Sequence, residues 1–173
     1  MTGGSFTNYI QAGYNVTVNG NCDVYVSGVT AGTRIHPGVT NSGTISGDAT
    51  VTLGKNISGT PAIFPANRGD ITGTFTLIID GADASNMTLK GTNNSSGTVG
   101  DTVLVLKNGT INQPTSFNSV VLNTTGYVKL ATNVELSMDV QGNSYLDLNG
   151  HTLTGDLTGS GTLTLLAHGT ERQ

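Results

Sequence analysis

Apolar positions in this chain fall in short runs of period two. Tyr14–Val18, Asp23–Val26, Ala49–Leu53, Ile71–Ile79, Met87–Leu89, Thr102–Leu106, Ser119–Leu122, Tyr127–Leu130 and Val134–Val140 alternate apolar residues with Thr, Asn, Asp, Lys or Ser. Each run is bounded on at least one side by Gly, Asn, Asp or Ser. Successive side chains on a strand point to opposite faces, so each run predicts a strand with one buried face. No window of about 11–18 residues carries apolar positions at the i, i+3, i+4, i+7 spacing of a helix. The expected class is all-β.

The stretch Tyr145–Leu166, YLDLNGHTLTGDLTGSGTLTLL, shows how these strands are strung together. Leu146/Leu148, Leu153 and Leu163/Leu165 are separated by Asn-Gly, Thr-Gly-Asp and Gly-Ser-Gly corners. A short strand, a corner and another short strand is the pattern of one coil of a parallel β-solenoid. A β-sandwich is the alternative, but sandwiches favour longer strands joined by regular hairpins. Coils of roughly 20–25 residues would give about seven or eight irregular rungs in a single domain over residues 1–173. Two polar stretches, Gly91–Gly100 and Asn108–Asn118, read as insertions leaving through one corner. The segment Gly59–Asn67, with Pro61, Pro65 and an exposed-looking Phe64, reads as a loop within the domain.

Composition narrows the function classes. Charged residues make up 10% of the chain and the formal net charge is −4. Seven scattered Lys and Arg form no basic patch, which argues against nucleic acid and anionic membrane as partners. No apolar run approaches the ~20 residues of a membrane span. Cys22 is the lone cysteine and reads as a small inward residue at the start of a strand. The opening MTGGSFTNYI has neither a basic nor an apolar leader region, and the chain is expected to be a segment of a longer exported protein.

The tail Leu146–Leu165 resembles coils of the right-handed parallel β-helix families. Gly3–Asn8 (GGSFTN) and Gly69–Asp83 (GDITGTFTLIIDGAD) are similar to low-complexity coils of large bacterial surface proteins. The resemblance implies a fold that serves as adhesin, surface stalk, phage tail part, polysaccharide lyase or hydrolase, and it does not choose among them.

Candidate chemistry is sparse. Asp80 and Asp83 are the calcium candidates, since calcium takes six to eight oxygen ligands; a turn in which they bond nearby backbone is the competing reading. Glu135, Asp139 and Asp147 alternate with apolar residues and could stack as an outward acidic column able to support glycoside hydrolysis. Arg34, Arg68 and Arg172 lie in Gly-rich loops, with Asp70 beside Arg68. His36, His151 and His168 share no metal-ligand spacing and read as polar corner residues. Thr50/Thr52, Thr74/Thr76, Thr152/Thr154 and Thr162/Thr164 could form an ice-binding ladder only if they recurred at a constant period.

These residues lead to one expectation: a non-enzymatic, extracellular or cell-surface module of a bacterial protein, serving as stalk, adhesin or filament subunit. Its partners would be other subunits, through the coil ends, or surface glycans. No catalytic residue and no cofactor is assigned. The alternatives are a carbohydrate-active β-helix of the tailspike, lyase or hydrolase kind and, behind it, an ice-binding face.

Overall fold

The computed structural model describes residues 1–166, and no helix occurs among them. The pairings between named strands are parallel throughout. A parallel partner cannot be reached by a tight hairpin, so the chain must travel away and return between paired strands.

The returns are regular. A main ladder runs through Cys22–Val26, Ala49–Leu53, the middle of Asp70–Ala84, the middle of Val99–Ile111, Ser119–Leu122, Met138–Val140 and Leu157–Thr158. Its inward positions stack in register: Val26, Leu53, Ile79, Leu106, Leu122 and Val140 form one column. All six are at most 4% exposed, so one hydrophobic core runs the length of the ladder. Within the ladder strands, inward and outward positions alternate, as the period-two pattern requires.

Three further ladders flank it, beside two short pairings, Gly4–Ser5 with Val29–Thr30 and Val134–Glu135 with Leu153–Thr154. The second follows Asp83–Ala84 through Thr110–Ile111, Val128–Leu130, Asn143–Asp147 and Thr162–Leu166. The third takes Tyr9–Ile10, Arg34–Ile35, Ala62–Ile63 and Thr88–Leu89, and an isolated bridge extends it from Lys90 to Thr115. The fourth takes Gly13–Val18, Val39–Ile45, Asp70–Ile71 and Val99.

Polar side chains substitute for backbone partners where the ladders meet. Asn21 Oδ1 accepts the N–H of Asp48, and Asp48 Oδ1 accepts the N–H of Thr74, each at 2.9 Å. Asn41 donates to Asn15 Oδ1 (3.0 Å) and Asn94 to Asn67 Oδ1 (2.9 Å) on the fourth side. Corners break the regular ladder, and there Asn21 and Asp48 side chains take up backbone N–H groups, while Asn–Asn pairs link neighbouring strands. That accounts for a composition rich in these residues and poor in Lys and Glu.

The return distance changes once. Main-ladder partners Cys22/Ala49, Ala49/Phe75 and Phe75/Thr102 lie 26 or 27 residues apart. Val103/Ser119, Val121/Asp139 and Met138/Leu157 lie 16, 18 and 19 apart. The change falls between two passes: 13 residues separate Lys90 from Val103, whereas 4 separate their partners Thr115 and Ser119. The residues lost are those of the fourth ladder, which stops at Val99, and the cross-section steps down from four sides to three.

Several sequence expectations need correcting. Gly91–Gly100 is not an insertion: it is the last occupant of the fourth side, and Asn94 and Ser95 donate backbone N–H groups to Ala66 and Asn67. Asn108–Ile111 continues a strand rather than starting a loop. Phe64 is 2% exposed, because its ring stacks on His36 at 5.0 Å and 17°. Pro65 fits there as a corner residue whose carbonyl accepts the N–H of Gly38, which asks no donor of it. Cys22 does begin a strand, half-buried, with its thiol pKa raised by burial and by Asp23.

Candidate binding groove

The step is built by a small set of residues. Thr102, 5% exposed, accepts the backbone N–H of Asn118 on both its carbonyl (3.1 Å) and its hydroxyl (2.9 Å). Asn118 in turn donates from Nδ2 to Asp101 Oδ1 at 2.7 Å. This bond, then the Thr102 N–H, holds the exposed Asp101 carboxyl below its ordinary pKa. The turn itself is tight: Ser116 has φ +65, and a Cβ on Gly91 would sit 2.1 Å from the Ser116 carbonyl oxygen. Gly91 is therefore needed for two backbones to pass closely. Beneath the turn Phe117 stacks on Phe75 at 6.4 Å, closing the core where the fourth side ends.

Above the step, the space once filled by the fourth ladder is open. A cleft of about 580 Å³ occupies it, with Ser116, Asn118, Ser119, Glu135, Ser137 and Thr154 on its walls and Phe117 at its base. Smaller clefts continue it toward Asn93 and Gly97 on the ledge and toward Asp139, Asp156 and Thr158 along the shaft. The walls carry hydroxyls, amides and carboxylates; among the described residues no Lys or Arg lines any of these three clefts.

The sequence candidates are dispersed. Asp83 Oδ1 accepts the N–H of Ser85 at 3.1 Å, which is the local turn role. Asp80 is exposed, and a register irregularity separates it from Asp83. Among the described residues no group of three or more His, Cys, Asp or Glu side chains converges as a metal cluster. The supposed acidic column does not exist: Asp139 lies on the main ladder, Glu135 on the Val134–Glu135/Leu153–Thr154 pair, and Asp147 on the second ladder. Asp147 is also fully buried rather than solvated, with Oδ1 accepting the N–H of Asn149 and Oδ2 unpaired.

His36 was expected at a polar corner and is instead completely buried. Its Nδ1 lies 3.2 Å from the Gly38 carbonyl, so Nδ1 carries the proton and donates, while Nε2 has no partner. Burial lowers its pKa to about 4, with Arg34 acting in the same direction and the Gly38 bond opposing. Arg34 itself rests over the Tyr9 ring at 5.3 Å. His151 occupies the turn after Asn149-Gly150, donating its N–H to Leu148. His168 and Arg172 lie outside the described residues. The Thr pairs are spread over different ladders, and Thr50 and Thr76 are in register while Thr52 meets Ile78.

No protein-family model matches the chain, and comparisons with curated proteins and with solved structures give no match. The groove went unseen in the sequence because it arises from a shortened return, and the residues that line it, Ser116 to Ser119, look like ordinary turn punctuation.

Proposed function

We propose that the chain is a right-handed parallel β-helix serving as a non-enzymatic structural and adhesive module of an extracellular bacterial surface protein. Parallel strands joined by a crossover within one sheet are right-handed in about 98% of cases, which gives the hand. The observation that carries the reading is the core column from Val26 to Val140, continuous across both cross-sections. Each coil buries its edges against its neighbours, so a stiff shaft results without charged surface networks. Extended polar faces then remain free for weak contacts with glycans or other proteins.

A carbohydrate-active reading is the rival, and it draws support only from the acids along the groove, Glu135, Asp139 and Asp156. Reducing-end release from a panel of neutral and acidic polysaccharides separates the two. The structural reading predicts no release above buffer. Release that disappears in Asp139→Asn or Glu135→Gln would contradict it.

A further inference from the structure

We infer that the groove above the step is a binding site for a neutral oligosaccharide lying along the shaft. This rests on the adhesive reading and assigns it a place. Three features of the groove point to this ligand class. First, its polar groups recur along the axis: Asn118 and Ser119 in one coil, Ser137 and Asp139 in the next, Asp156 and Thr158 in the last. Adjacent strands are about 4.8 Å apart, so this wall spans roughly 10 Å and meets a polymer with similar groups at each step.

Second, the lining has the donor and acceptor balance that sugar hydroxyls need. Ser and Thr hydroxyls both donate and accept, Asn118 offers an amide, and carboxylates accept only. The Asp101 carboxyl, held ionised by Asn118 and Thr102, fixes the orientation of that amide at the head of the groove. Third, the charge pattern excludes the obvious competitors. Glu135, Asp139 and Asp156 line the groove and, among the described residues, no Lys or Arg does, so uronate, sulfated or phosphorylated polymers would be repelled. A basic peptide would be attracted, and it differs from a sugar in being strongly screened by salt.

The ledge supports the same assignment. The fourth side ends in the bend around Asn93–Gly97 and offers only a short length of strand edge at Val99–Gly100. An added peptide strand would find few ladder partners there, whereas a sugar needs side-chain contacts more than a continuous edge.

The test uses the intact chain and hexasaccharides of glucose, mannose and N-acetylglucosamine, followed by calorimetry, beside Ser119→Tyr, Ser137→Tyr and Thr30→Tyr variants. All three positions are exposed, and circular dichroism checks that each variant remains folded. The proposal predicts binding of at least one hexasaccharide, weakened about tenfold or more by either groove substitution and unchanged by Thr30→Tyr. It also predicts that affinity shifts by no more than about twofold between low and high salt. Absence of binding to all three probes overturns the proposal. Binding that ignores the groove substitutions removes the site and leaves the adhesive reading standing, and release of reducing ends would remove that reading instead.

Discussion

At the scale of single residues, His36 shows how burial overrides residue type. Between Tyr9 and Phe64 it behaves as an aromatic core residue, and only Nδ1 finds a partner. Its folded pKa of about 4 lies below the ordinary 6.5, so the unfolded chain binds more protons between those values. Stability is undiminished above pH 6.5 and falls as pH drops toward 4, by about 3 kcal/mol in total. Denaturant unfolding at pH 7.5, 6, 5 and 4 checks this: His36→Leu is expected to lose most of that slope. Gly109 makes a second residue-scale prediction. It has φ +126, and a Cβ there would approach the Ala82 carbonyl oxygen to 2.3 Å. Gly109→Ala should therefore cost about 2–4 kcal/mol by the same unfolding measurement.

At the scale of elements, the main ladder was legible and the two-residue strands were not. Ala49–Leu53 and Thr102–Leu106 each alternate over five residues, enough for a period to show. Tyr9–Ile10, Arg34–Ile35 and Ala62–Ile63 are too short to carry any period and pair because neighbouring strands present an edge. Val39–Ile45 reads Val-Thr-Asn-Ser-Gly-Thr-Ile, with apolar residues only at its ends, and its register is held partly by Asn15 bonding to Asn41 and Ser42. Asp147 misled because alternation alone placed it outward, whereas the structure buries it beside the Asn149 turn. Leu77 is fully buried between Val51 and Leu104, and Leu77→Ala should cost about 2–5 kcal/mol. Thr76→Ala, one position away on the outer face, should change stability by no more than about 0.5 kcal/mol.

At the scale of the molecule, the mixed period explains why no repeat was visible in the sequence. Two return lengths, 26–27 and 16–19 residues, blur any single alignment of coils, and the expected 20–25 falls between them. A stalk or adhesin module, as opposed to a filament subunit, predicts that the purified chain sediments as a monomer across a wide concentration range. End-to-end rods in electron micrographs, growing with concentration, would instead show that the coil ends do associate.

Pulsed electron-electron spin distances decide whether the strands stack as in-register parallel coils. Tyr25, Thr52, Ile78, Val105, Val121, Asp139 and Thr158 form one outward column of the main ladder. With Cys22→Ala as background, spin labels would pair position 25 with 105, 121, 139 and 158 in turn. At about 4.8 Å per strand the separations should rise evenly, near 14, 19, 24 and 29 Å. Distances that rise by one strand spacing at each step would support the stack through the change of cross-section. Distances that level off or fall, as strands folded into two facing sheets would give, would contradict it.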